Sequence, residues 1–244
     1  MFRNSLTSQA SQAHTKTEHV QIVKDSKAEA TAASILDAAL ALIREAGFDA
    51  ATMRAIAQRA GVATGAAYYY YASKDAIVMD FYQRSCELMQ QRLHLALENV
   101  KTLEDGLREV IQVKLNYFGP NREVLRALLR NGADPKHPLS PFSSETKQIR
   151  DLDLAWFQQV MAQSGASIPR DLAPRLPGVL WFFQMGVILF WVTDDSPRQE
   201  RTKRLLPLAC KIVASLVRLS SLPLMRPLRK PVLELIEIVA GDVS

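Results

Sequence analysis

The chain of 244 residues has little of what sheet-rich, disulfide-stapled or metal-dependent proteins need. Glycine is scarce, at 10 residues, and alternating runs of Val, Thr and Ile are few, which argues against a β-rich fold. Two cysteines, Cys86 and Cys210, make no disulfide framework; both fall inside helical patterns and read as small buried hydrophobes, as suits a reducing cytoplasm. The four histidines are scattered: His14 and His19 near the start, His94 mid-helix and His137 in a Pro-rich loop. No metal-ligand spacing, nucleophile–base grouping or Gly-rich phosphate loop occurs, and Asp151 and Asp153 fall on different helix faces. Neither catalysis nor a cofactor nor a metal is therefore expected. The first twenty or so residues lack an apolar core, so no signal peptide is expected. The longest apolar run, GVLWFFQMGVILFWV at 178–192, falls short of the roughly 20 residues of a membrane span and reads as a buried helix. A cytoplasmic protein with no membrane partner is expected.

Charge is equally uninformative about location. The net charge of +5 invites a nucleic-acid reading, yet residues 1–80 carry eight basic and eight acidic side chains, and the whole surplus lies beyond them. The basic stretch from Arg198 to Lys230 reads as a solvated surface. Pattern, not charge, has to locate any DNA site.

What the sequence does have is helix after helix. Residues 1–27 are polar and aperiodic, the signature of a disordered arm. From about 28, Ile35, Ala39, Leu42 and Ala46, flanked by Leu36 and Ile43, form the stripe of an amphipathic helix that Gly47 stops. Thr52 is placed to cap a short helix through Ala60, Gly61 turns the chain, and a second short helix covers about 63–70. Ser73 then caps a long helix to about Val100. Two short helices across a Gly-containing turn, with one helix before them, make a helix-turn-helix domain over 28–75. The remainder, 76–244, is expected to be a larger helical domain. Its helices fall at about 102–118, 122–131, 145–164, 178–193, 197–220 and 231–239, with a Pro-rich loop at 132–144. The expected fold class is all-α.

Four consecutive tyrosines, Tyr68 to Tyr71, stand in the second short helix. Steps of about 100° sweep them around the circumference, so they cannot all be core. With Ala67 at the origin, Tyr71 falls about 40° away on the core face, Tyr69 points nearly opposite, and Tyr68 and Tyr70 flank the outer face. Gly65 and Ala66 lie on the side of Tyr69. A tip of small residues lets a helix enter a major groove closely while flanking hydroxyls meet phosphates on its walls. Lys74, beside the free N–H groups of the next helix start, adds a phosphate site.

The segment TMRAIAQRAGVATGAAYYYYASKDAIV resembles the DNA-binding domain of the TetR family of bacterial transcriptional regulators. The matching features are Thr52 at a helix start, the packing pair Ile56-Ala57, the turn Ala60-Gly61-Val62, the Gly65-to-Tyr68 segment and Ser73-Lys74-Asp75. The resemblance implies phosphate contacts from Thr52, Tyr68, Tyr70 and Lys74, with Arg54 near the backbone or a base. It implies that Thr64, Ala66 and Tyr69 face bases. Three positions depart from the family pattern: Ala55 stands where an acidic residue is common, Ala67 where a large aliphatic is, and Tyr71 where Phe is. With Ala63 and Thr64 leading the helix, few polar groups remain to read base edges, so thymine methyls and DNA shape are expected to carry specificity.

The resemblance further implies a homodimer through the helices at about 178–193 and 197–220, together forming half of a four-helix interface. Gly178 and Gly186 would permit close helix approach there. Taken singly, Trp156, Phe157, Trp181, Phe182, Met185 and Trp191 read as core. As a group, with Gln184 as a polar handle, they suggest a pocket for a small apolar or aromatic effector. The expectation is a ligand-responsive repressor that binds a palindromic operator in double-stranded DNA. The competing expectation is a helical small-molecule or lipid-binding protein whose helix-turn-helix is vestigial.

Overall fold

Local chemistry sets most helix ends in the computed structural model of the protein, which describes residues 27–130, 134 and 136–240. The polar arm expected over 1–27 lies outside the described residues except for Lys27. Helix α1 spans 27–46 and stops at Gly47, whose φ of +84° disfavours any Cβ. Ile35, Leu36, Ala39 and Ile43 are its buried stripe; Leu42 is half-buried, and Ala46 is exposed in the last turn, where the helix has run past its core. Helix α2 (Met53–Arg59) begins at Thr52, whose Oγ1 accepts the Ala55 N–H at 3.2 Å. Gly61, at φ +70°, turns the chain into α3 (Thr64–Tyr70).

Tyr71 departs from the wheel argument. It is not on α3 at all but has left the helix with an extended backbone (φ −137°, ψ 118°). Its ring is buried all the same, and its hydroxyl donates to the Ala32 carbonyl of α1 at 3.4 Å. Helix α4 (Lys74–Leu97) starts where Ser73 Oγ accepts the Ala76 N–H at 3.1 Å. Residues through Ile77 form one compact unit and those from Val78 a second, the division falling within the first turn of α4.

In the second unit α5 (Leu103–Phe118), capped by Thr102 Oγ1 on the Asp105 N–H, is the central helix. It packs against α7 (Lys147–Gln163), α8 (Leu176–Thr193) and α9 (Glu200–Ser220), while α6 (Arg122–Arg130) and α7 also pack on α8. Arg122 and Arg126 of α6 donate to the Val192 carbonyl at 3.0 and 2.6 Å, placing cations at the carbonyl end of α8. The last helix, α10 (Arg226–Ala240), starts five residues before the expected 231 and carries Pro231 inside it. Among the described residues there is no strand.

Two expectations about α8 need correction. Helix α8 has 18 residues, because Pro177 is tolerated in its first turn. It is long and apolar enough by composition to cross a membrane, yet half of it is buried inside the fold. It is also not covered all round: Leu180, Trp181, Gln184, Val187, Ile188 and Trp191 face inward, whereas Gly186 and Leu189 are exposed. Among the described residues, nothing beyond the neighbouring turns of α8 lies within 4 Å of where a Cβ would stand on Gly178 or Gly186, so neither glycine serves a close approach there. In α9 the inward stripe is Thr202, Leu206, Cys210 and Val217. Ile212 and Leu216 join Leu208 and Leu219 in an exposed apolar row.

Candidate nucleic-acid interface and ligand cavity

The helix-turn-helix is held by a small core. Met53, Ile56 and Ala57 of α2 meet α3 through Ala67, which is fully buried, so the small side chain at 67 is what lets the two helices close. An exposed bidentate pair, Arg59 to Glu45 at 2.5 and 2.7 Å, ties α2 to α1 and holds the Glu45 carboxyl below its usual range.

That core leaves the outer surface of α3 free. Tyr69 is 83% exposed and sets its ring edge-on to Tyr70 at 5.3 Å; Tyr68 is exposed, and Tyr70 half-buried. Thr64 and Gly65 are exposed and Ala66 half-buried, with open space where a Gly65 Cβ would stand. Thr52 and Arg54, at the start of α2, are exposed too. Because Thr52 Oγ1 accepts its cap bond, its hydroxyl hydrogen remains to donate. Lys74 is arranged differently from a free phosphate arm. Its ammonium donates to the Phe48 carbonyl at 2.6 Å and sits 3.9 Å from the centre of the Phe48 ring, so the side chain also braces the chain after α1. This contact joins residues 26 positions apart, so no local pattern announces it.

The second unit holds a cavity with a polar floor. Lys114 (α5), Asp153 (α7) and Gln184 (α8) are all buried there. Lys114 Nζ donates to Asp153 Oδ1 at 2.5 Å, and Gln184 Nε2 donates to Asp153 Oδ2 at 2.9 Å. Among the described residues, the Gln184 Oε1 has no hydrogen-bond partner. Apolar side chains complete the walls, among them Met89 of α4, Phe118 of α5 and Ile188 of α8, and Leu139 and Pro141 bring in the Pro-rich loop. The cavity holds about 40 Å³, or about 520 Å³ when all the empty space between its walls and out into the solvent at its mouth is counted. Burial, reinforced by the Asp153 carboxylate, raises the Tyr82 phenol and pushes the Cys86 thiol up to about 12; burial does the same for Cys210.

Of the seven expected pocket residues, only Gln184 and Met185 line this cavity. Phe157 is fully buried core, and Trp191 is buried with its Nε1 donating to Gln199 Oε1 at 3.0 Å. Trp181 and Phe182 pack with Phe142 in an aromatic cluster, centroids 5.5 and 5.9 Å away, and Trp156 is half-buried outside the cavity wall. Aromatics at helical spacing went to packing because large flat rings fill helix–helix gaps. The missed residues, Lys114 and Asp153, did leave a signal. Each is a charged residue on an apolar stripe: Leu107, Val110, Ile111 and Phe118 around Lys114, and Ile149, Phe157 and Val160 around Asp153.

A second, wider groove of about 350 Å³ lies between α8, α9 and α10, lined by Leu176, Val179, Val213, Leu216, Leu228 and Val232 among others. Ion pairs from Arg229 to Asp171 at 3.5 Å and from Arg175 to Glu237 hold α10 beside it.

Comparison with known proteins agrees with this architecture. Residues 35–80 match the family described as "Bacterial regulatory proteins, tetR family", and residues 107–233 match "Tetracyclin repressor-like, C-terminal domain". The chain is 43% identical over 58 residues to the HTH-type transcriptional repressor KstR of Rhodococcus jostii, a stretch covering 24% of this chain and 27% of that protein. It is 25% identical over 174 residues to KstR of Mycobacterium tuberculosis, covering 70% and 75%. Other curated relatives are matched over 41% and 56% of their length, so the chain spans well under two thirds of several proteins that it resembles. Among solved structures, the transcriptional regulator FadR of Bacillus subtilis in complex with stearoyl-CoA superposes with a TM-score of 0.57 at 16% identity, over 75% of this chain and 97% of that one. The C-terminal match alone takes in more than half of the 244 residues, and with the helix-turn-helix match before it the chain belongs to the TetR family of bacterial regulatory proteins.

Proposed function

We propose that the protein is a cytoplasmic, non-enzymatic transcriptional repressor that binds a palindromic operator as a homodimer and releases it when a small, largely apolar effector fills the cavity of the second unit. The observation that carries the DNA reading is the outer face of α3, where Tyr69 stands 83% exposed beside Thr64, Gly65 and Ala66. Thr52, Tyr68, Tyr70 and Lys74 are assigned to phosphates and Arg54 to the backbone or a base edge. A large exposed aromatic ring at the tip of a helix-turn-helix costs solubility unless it has a partner, and a groove in duplex DNA is the partner that fits it.

Dimerisation is assigned to α8 and α9. The exposed row Leu208, Ile212, Leu216 and Leu219, with Leu189 on α8, is the kind of contiguous apolar surface that monomers seldom leave bare. The open space over Gly178 and Gly186 suits close approach by a second copy. Helix α4 supports a route for release, since one uninterrupted helix begins at Lys74 and carries Tyr82, Cys86 and Met89 to the cavity wall. An effector that binds one state of the dimer more tightly shifts the balance away from the DNA-binding state.

The test is selection of sheared genomic DNA from the source organism on the purified protein at moderate salt, followed by sequencing. Enrichment of a palindromic site supports the reading. If no sequence is enriched by protein washed free of ligand, the helix-turn-helix does not read sequence, and the helical small-molecule-binding reading replaces it.

A further inference from the structure

We infer that the cavity of the second unit takes a molecule whose buried polar group is a hydroxyl, held between the carboxamide oxygen of Gln184 and the ammonium of Lys114. This rests on the reading of the cavity as an effector site. The orientation of Gln184 is fixed by its partner. Its N–H donates to Asp153 Oδ2 at 2.9 Å, and the flipped amide would set oxygen against carboxylate. Oε1 is therefore an acceptor, buried on a side chain that is 1% exposed, with no donor among the described residues. Buried acceptors in folded proteins nearly always have a donor, and an unmatched one on a cavity wall marks where a ligand or a water supplies it. Lys114 gives Asp153 one of its three N–H groups, and its ammonium keeps donors to offer.

The charges decide which ligands fit. Lys114 and Asp153 cancel at 2.5 Å, so the floor has no net charge to attract an acid or an amine. A carboxylate would bring a negative charge beside Asp153 and aim a lone pair at Gln184 Oε1. A ketone accepts from Lys114 but leaves Oε1 unmatched. A hydroxyl does both, donating to Oε1 and accepting from Nζ, and it is small enough for a cavity of about 40 Å³. The apolar body of the molecule then runs toward the mouth past Met89, Phe118, Met185 and Ile188.

The test is calorimetric titration of the full chain, without DNA, with 1-octanol, 2-octanone and octanoate, matched in chain length, at pH 8. The expected result is binding of 1-octanol at least about tenfold tighter than either of the others, the size of one well-placed hydrogen bond. Gln184→Met, similar in volume but without the acceptor, should bring 1-octanol and 2-octanone to within about twofold, with a melting curve to check that it folds. The wild-type ranking needs no variant and stands alone. Octanoate or 2-octanone binding as tightly as 1-octanol overturns the inference, and so does no binding by any probe, since water alone then serves Oε1. Alcohol binding by a protein that enriches no DNA keeps this inference and removes the repressor reading.

Discussion

Replacing Tyr69 by alanine should separate DNA contact from folding, and replacing Tyr71 by alanine should do the reverse. The Tyr69 ring is 83% exposed, so its removal costs the fold only an exposed edge contact with Tyr70 at 5.3 Å. Alanine's better helix propensity offsets most of that, leaving stability within about 0.5 kcal/mol of wild type. Tyr71 is 8% exposed and donates to Ala32, and emptying that site costs about 3–5 kcal/mol. On DNA, losing a base-facing side chain is worth about 1–3 kcal/mol, or roughly 5- to 150-fold in operator Kd. Binding to a scrambled duplex should change by less than about twofold, and the salt dependence should be unaltered, because tyrosine neutralises no phosphate. Fluorescence anisotropy on both duplexes at two salt concentrations, beside thermal unfolding of each variant, measures all of this. Equal weakening on operator and scrambled DNA would remove Tyr69 from the base-reading role. Loss of stability comparable to that of Tyr71→Ala would mean that the exposed ring is structural after all.

Other expectations follow from the same geometry. Gly106 on α5 has no room: an added Cβ would lie 2.3 Å from Val160 Cγ1 and 3.2 Å from Val100 Cγ1. Gly106→Ala should therefore destabilise by about 1–2 kcal/mol in urea unfolding rather than gain the usual helix propensity, and Val160→Ala in the same chain should return part of the loss. Asp194 is raised by burial but lowered more by hydrogen bonds from Thr202 and Ser196, leaving its carboxyl below the ordinary value near 3.8. Its stabilisation is thus complete above that value and is lost as pH falls below it. Asp194→Asn should melt lower at pH 7 and show a shallower decline in acid, and parallel pH curves for the two proteins would contradict this. Ile212→Arg, on the exposed row of α9, should halve the mass measured by light scattering without lowering helix content; an unchanged dimer would move the interface elsewhere.

Helix ends were legible because their causes are local. Thr52, Ser73 and Thr102 each cap within three residues of themselves, and Gly47 and Gly61 turn at positive φ where no side chain is welcome. The helix-turn-helix could be read for the same reason: its caps, turn and packing pair sit within about 25 residues. The course of the chain at Tyr71 was not legible, since leaving α3 for an extended backbone is settled by a hydroxyl bond to α1, 39 positions away. Nor was the cavity. Lys114, Asp153 and Gln184 each look like an error in an apolar stripe until the fold sets them together across separations of 39 and 31 residues. Composition alone determined that α8 would be an apolar helix. Which of its faces meets α5, α6 and α7 and which is left bare was decided only by tertiary packing, because a helix with apolar residues all round has no amphipathic stripe to orient it.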